Sequence, residues 1–213
     1  NPSVELVYEP GSIFKVVTYG GALDSGTITP DQQFNDTGSY EVVPGQTPIQ
    51  NSEKRKLGWV TGWQALAESL NTVSADIAIT MGPETFYRYI KLFGFGKPTE
   101  IDLKPESPGS VKRYGTEQWN LLDQASNSFG QAISVTPIQM INAVAAVANE
   151  GALLQPQVAQ SLVLNGQAHR LPTRKLEQVM TPETAKTLTQ MMVYTVDNYA
   201  AGKKLLPGYK IAG

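Results

Sequence analysis

The sequence predicts an α+β or α/β domain with a helical lobe, and three observations predict it. Apolar residues recur at helical spacing through the middle of the 213-residue chain. Two segments, at Thr136 and Thr181, open with Thr-Pro directly before an apolar-periodic run, a pairing that starts helices. Short alternating runs bounded by Gly, Asn and Pro read as strands, several of them towards the C-terminal end. An apolar share of 41% against 17% charged residues is enough to build a packed core, and the length suits one sizeable domain or two small ones.

The elements follow in order. From Ser12 to about Leu23, Ile13, Phe14, Val16, Val17 and Leu23 suit a mostly buried helix that starts at Ser12 and ends at "DSG". Residues 27 to 58 are rich in Gly, Pro, Asn, Gln and Thr, with runs such as "SYEVV", and read as loops and short strands. "TGWQALAES" is a short helix stopping at Ser69. "TVSADIAITM" is a second, with Val73, Ile77 and Met81 on one face. "GPETFYRYIKLFG" is a third, with Pro83 near its start and Gly94 at its end. "TPIQMINAVAAVANEG" is the clearest helix, capped by Thr136 and closed by Gly151. In "LVLNGQAHRL", Asn165-Gly166 between apolar runs predicts a hairpin. "TPETAKTLTQMMVYTV" is a last helix, with Thr181 as cap and Glu183 where the helix dipole favours an acid. "GYKIAG" reads as a short strand. There is no internal repeat.

Composition removes several function classes. A net charge of −2 leaves no electrostatic footprint for nucleic acid. With no cysteine there is no disulfide, thiol nucleophile or thiolate metal site. The single histidine, His169, falls in the predicted hairpin and reads as an ordinary strand residue, so a serine nucleophile here would need a base other than histidine. The longest purely apolar stretches, such as Ala143 to Ala148, are too short to cross a bilayer. No signal-peptide pattern opens the chain, which starts in what reads as mid-domain sequence.

The chemistry-bearing candidates lie in two stretches. In "YEPGSIFKVV", Ser12 and Lys15 stand three apart where a turn becomes a helix, and so share one face. A lysine is a base only when its pKa falls, and burial beside Phe14 and Val16 together with the positive end of a helix would both lower it. The same helix end can aim the Ser12 N–H at a developing oxyanion. The plainer reading is a serine cap beside a solvated lysine. In "ESLNTV", Ser69 and Asn71 fall between two helices: a hydroxyl can relay a proton, and an amide can bond a lysine or a substrate carbonyl. The plainer reading there is local capping. Lys54, Arg55 and Lys56 read as a solvated loop. Trp59, Trp63 and Trp119 read as core. Gly94-Phe95-Gly96 reads as a turn, not a phosphate loop.

Taken together, "EPGSIFK" and the "SLN" some 55 residues later resemble the class B penicillin-binding proteins, the serine D,D-transpeptidases of the bacterial cell wall, which share a Ser-x-x-Lys, Ser-x-Asn, Lys-Thr-Gly motif set. "FGFGKPTEIDL", "SFGQAISVTPIQM" and "PGYKIAG" resemble further family segments in the same order, so the likeness runs from residue 7 to 213. "SFGQAISVTPIQ" is more similar to the division and sporulation type than to the rod-elongation type.

The resemblance implies a penicillin-binding and serine β-lactamase-like fold, an antiparallel sheet flanked by helices plus a helical subdomain, with residues 1–213 forming one transpeptidase domain incomplete at both ends. It implies Ser12 as nucleophile, Lys15 as its base, Ser69 as proton relay to the departing D-alanine, and Asn71 as orienter of Lys15 and the substrate. Peptidoglycan stem peptides ending in D-Ala-D-Ala would be substrates and β-lactams acylating inhibitors, with no metal or organic cofactor. It further implies an extracytoplasmic site on the bacterial cytoplasmic membrane, an N-terminal anchor, and partnership with a membrane glycan polymerase and other division or wall-synthesis proteins. The Lys-Thr-Gly motif is expected to begin after Gly213, and with it the last strands; Lys210, which precedes Ile211, does not replace it. A serine β-lactamase, or a non-catalytic β-lactam sensor or scaffold, are the alternatives. The first would need a water-activating group, and no glutamate here stands in a setting that marks one.

Overall fold

The computed structural model describes residues 1–199 and 208–213. After a first short helix, α1 (Pro2–Glu5), a 3-10 turn over Gly11–Phe14 runs straight into α2 (Lys15–Asp24). The α-helix proper therefore starts at Lys15, three residues later than the sequence suggests, because the chain enters through a tighter turn, a frequent prelude to an α-helix. The Gly- and Pro-rich segment that follows holds β1 (Gln33–Asp36), β2 (Ser39–Tyr40), β3 (Ile49–Gln50) and β4 (Gly58–Thr61). Next come α3 (Gly62–Ala67), α4 (Asn71–Met81) and α5 (Pro83–Leu92), as their apolar spacing predicts. α6 (Leu121–Asn127) has no counterpart in the sequence reading; it is too short to show periodicity and is announced only by an Asn120–Asp123 capping box. α7 (Pro137–Ala148), β5 (Ala152–Leu154), β6 (Ser161–Leu164), β7 (Gln167–Arg170), β8 (Lys175–Gln178) and α8 (Pro182–Asn198) complete the described elements.

Thr136 and Thr181 cap α7 and α8 as predicted, each side chain accepting from a first-turn N–H. At the far end of α7 Glu150 and the expected Gly151 both take positive φ, 54° and 81°, and the Gly151 N–H donates back to the Ala146 carbonyl over 2.8 Å. Asn165 and Gly166 both take positive φ and join β6 to β7, the backbone a two-residue hairpin with a primed turn needs. His169 sits on this exposed ribbon opposite Leu162.

The strands are antiparallel, as expected, but among the described residues they form four separate two-stranded ribbons, β1–β4, β2–β3, β5–β8 and β6–β7, where the sequence reading places one sheet. Strands of two to four residues offer few ladder groups for a third strand to join. Residues 209–213 carry no regular secondary structure, so the strand expected over "GYKIAG" is absent there: no described strand pairs with it, and Gly213 N–H donates to the carbonyl of Met192, within α8, instead.

α2 forms the centre of the molecule, packing on α4, α5 and α8. Gly21 permits this closeness, since a Cβ there would meet the Tyr89 ring at 2.7 Å. The end of α2 is a junction: Asp24 accepts from the Tyr89 hydroxyl and from the Thr181 N–H, each over 2.7 Å, tying α5 and the start of α8 to it. Of the tryptophans, Trp63 and Trp119 pack against the core, whereas Trp59 is 70% exposed, contrary to the core reading. On β1–β4 it is Val60, the next residue along, that turns inward, and strand alternation sends Trp59 out.

Candidate active site

The entry to α2 sets the first two side chains. Side chains three apart nearly eclipse in a 3-10 turn, so Ser12 and Lys15 come into line, and the Lys15 amine lies 3.0 Å from the Ser12 hydroxyl. Ser12 is exposed while Lys15 is 1% exposed: a hydroxyl reachable from solvent is backed by an amine sunk in the core. Ser12 also stands in the first turn, where backbone N–H groups lack partners within the helix.

A second segment closes over the amine. Ser69, between α3 and α4, adopts φ 55°, a left-handed backbone that a serine takes at a cost of about 1 kcal/mol or more. In that conformation its carbonyl oxygen and its hydroxyl both meet Lys15 Nζ, at 2.8 and 2.9 Å. Asn71, the first residue of α4, brings its amide oxygen to Nζ at 2.8 Å. Its amide nitrogen donates to the Gln50 carbonyl, which fixes which end of the amide faces the lysine. The structure thus brings together all four residues singled out from the sequence, and around a buried lysine where the plainer reading has a solvated one.

The electrostatics suit a neutral amine. Burial, and next to it the positive charge of Arg55, lower the Lys15 pKa from its ordinary value of 10.5 to about 7. The acceptors agree: the Ser69 and Asn71 carbonyl-type oxygens can only accept, so the two hydrogens of a neutral amine serve them and its lone pair is left for a hydroxyl proton.

Residues beyond these four hold the arrangement. Arg55 donates to the Glu68 carboxylate at 2.8 Å and to the Glu68 carbonyl at 2.9 Å, clamping the residue before Ser69. Buried Asp36 accepts from the Thr72 hydroxyl, the Asn51 amide and the Leu57 and Gly38 N–H groups, while Asn51 accepts from the Thr72 N–H. Burial pushes the Asp36 carboxyl up, but these four bonds outweigh it and hold the group below the ordinary carboxylate value. Together they anchor the start of α4, and with it Asn71. Sequence reading missed Arg55 because it lies in a run of three cations, and missed Asp36 because "DTG" signals only a turn.

A third segment locks the Ser12 turn from behind. Gly11 N–H donates to the Gly130 carbonyl at 3.0 Å, Ala132 N–H to the Glu9 carboxylate at 2.9 Å, and the Thr18 hydroxyl to the Ser128 carbonyl at 2.8 Å. Gly130 takes φ 76°, and a Cβ there would lie 2.2 Å from the Gly11 oxygen. "EPGSIFK" and "SFGQAISV" are thus two sides of one backbone contact. Among the described residues no group of three His, Cys, Asp or Glu side chains gathers into a metal-binding cluster.

The family model described as the penicillin binding protein transpeptidase domain matches residues 1–213. Stage V sporulation protein D of Bacillus subtilis is 31% identical over all of this chain and 33% of its own length. Peptidoglycan D,D-transpeptidase MrdA of Acinetobacter baumannii is 27% identical over all of this chain and 33% of its own length. Among solved structures, penicillin binding protein 3 of Mycobacterium tuberculosis complexed with aztreonam superposes with a TM-score of 0.83 at 27% identity, covering all of this chain and 45% of that one. The chain spans about a third of the length of the curated relatives it matches.

Proposed function

The chain belongs to the penicillin-binding protein transpeptidase domain family, in its class B branch, and on that premise we propose that it carries a peptidoglycan D,D-transpeptidase site with Ser12 as nucleophile. The observation that carries the reading is the Lys15 amine, buried and bonded at once to Ser12, Ser69 and Asn71. The Ser12 oxygen attacks the carbonyl of the penultimate D-alanine of a stem peptide, and its proton passes to the Lys15 lone pair. As the carbon–nitrogen bond breaks, Ser69 hands a proton from Lys15 to the leaving D-alanine nitrogen. Asn71 holds the lysine and the substrate backbone. An amine from a neighbouring stem peptide then attacks the ester, forms the cross-link and returns Ser12 to its hydroxyl. The Ser12 N–H supplies part of the oxyanion stabilisation.

A β-lactam mimics the D-Ala-D-Ala end and stops at the ester. The place of action is the outer face of a bacterial cytoplasmic membrane, alongside a glycan polymerase. The role is division or sporulation, in keeping with the likeness to the sporulation protein.

Incubating the intact protein with a penicillin and mapping the adduct by mass spectrometry tests this. One acyl group on Ser12, and none in Ser12→Ala, is expected. Lys15→Ala should slow acylation by about 10² to 10⁴, the range for loss of a general base. An adduct on another serine overturns the assignment. Repeated turnover of the penicillin, in place of a stalled ester, would make the protein a β-lactamase.

A further inference from the structure

A cleft of about 900 Å³ opens between α5 and the segment from Gly96 to Tyr114, and its lining includes none of Ser12, Lys15, Ser69 and Asn71. Its charge sets it apart. Arg88 and Lys91 come from the α5 side, and Lys97, Lys112 and Arg113 from the facing segment. Against these five cations stand two carboxylates, Glu84 and Glu177, so the cleft carries five minus two, or +3, in a chain whose net charge is −2. All five cations are exposed. Lys112 is paired with Asp123, and Arg88 lies 5.0 Å from the centre of the Tyr89 ring; among the described residues Lys91, Lys97 and Arg113 have no carboxylate within ion-pair distance.

The floor is of another kind. Phe95 is buried there with Ile90, and Tyr114 stacks on Tyr87 at 6.4 Å while meeting the Trp119 ring edge-on at 4.9 Å. Aromatic groups and arginine in a concave site are the composition of surfaces that bind protein segments. A compact anion such as one phosphate would draw donors to a single point. Here the cations stand on both walls along an apolar trough, which matches an extended ligand with several negative charges and apolar side chains between them.

We infer that this cleft is a docking site for an acidic peptide segment of a partner protein, its carboxylates meeting the cations of both walls and an apolar or aromatic side chain resting against exposed Tyr114 and half-buried Val111. The charge lies at the rim, where it governs partner choice and encounter rate more than total affinity.

The test uses the intact protein and a fluorescein-labelled decapeptide in which glutamates alternate with leucine and one phenylalanine. Saturable binding is expected, weakening as salt rises, with a change in Trp119 fluorescence. The double variant K91E/R113E should weaken binding about tenfold or more. Both residues are exposed, so its melting temperature should stay within a few degrees of the wild type, and it should gain affinity for the matching lysine decapeptide. That gain is the decisive reading, because a misfolded protein would not show it. Equal binding of the glutamate and lysine peptides by the wild type, no effect of the double variant, or displacement of the peptide by inorganic pyrophosphate at similar concentration would each overturn the proposal; the last would mark a phosphate pocket.

Discussion

A lysine amine that faces two carbonyl-type oxygens and two hydroxyls has more partners than it has protons to give when neutral, and burial, with the charge of Arg55 next to it, brings its pKa down to about 7, so that the neutral form is well populated near neutral pH. Arg55 acts at two points: its guanidinium clamps Glu68, which settles where Ser69 sits, and its charge opposes a proton on Lys15. If Lys15 is the base, acylation should rise with pH along a limb centred near 7. Removing the charge in Arg55→Met should raise the lysine pKa and carry that limb to higher pH, whereas Arg55→Lys should hold it closer to its original place while loosening the clamp. Second-order rates of penicillin acylation from pH 5.5 to 9.5 would read this directly. A limb that stays put in Arg55→Met, with only the plateau reduced, would leave Arg55 a purely structural part.

At the scale of elements, the site depends on three segments meeting: the Ser12 turn, the α3–α4 junction, and the turn through Gly130. The last contact leaves no room. Gly130→Ala must pay both for a left-handed alanine, about 1–2 kcal/mol, and for a Cβ set 2.2 Å from a backbone oxygen, for which overpacking typically adds about 1–3 kcal/mol. A melting temperature lowered by several degrees and an acylation rate reduced even in the folded fraction are expected, since Gly11 must shift and Ser12 with it. Gly166→Ala, also at positive φ but with open space around it, is the control, and should cost stability without touching the rate. Much at this scale was legible beforehand. Ser12 and Lys15 could be paired from local spacing alone, and the Thr-Pro starts of α7 and α8 are local chemistry. What stayed hidden rests on partners far along the chain: the joining of β1 to β4 and β5 to β8, Arg55 meeting Glu68, and Asp36 reaching Thr72. Trp59 was misread because alternation gives two faces but not which one meets the core.

For the whole molecule, the buried lysine makes stability itself depend on pH. The unfolded chain keeps the Lys15 proton up to about pH 10.4, while the folded protein releases it near 7. Between those values the unfolded state binds more protons, so stability rises with pH across that window, and below it the full penalty of charging the buried amine is present. A shift of this size corresponds to roughly 4–5 kcal/mol at most. Lys15→Met supplies the reference, because every other titrating group is common to both proteins. The stability of the wild type minus that of Lys15→Met, from urea unfolding, should climb by a few kcal/mol between pH 7 and pH 10 and be flat below about 6. A difference that does not change with pH would mean that the amine keeps its ordinary affinity for protons.

The contacts that lock the Ser12 turn also fix when it can exist. Glu9 and Ala132 are 123 residues apart in sequence, and Thr18 and Ser128 are 110 apart. Such distant pairings are the slow part of folding, because the long loop between them must be closed before they repay its entropy. During synthesis Ser12 is made before the segment that backs its turn, and that turn has no backing until more than a hundred further residues have emerged. A growing chain therefore carries its serine in an unaimed form, and a penicillin added to stalled nascent chains should label only those long enough to present Gly130 and Ala132 outside the ribosome. If Ser12 is the nucleophile proposed above, reactivity marks the point at which these distant contacts have closed.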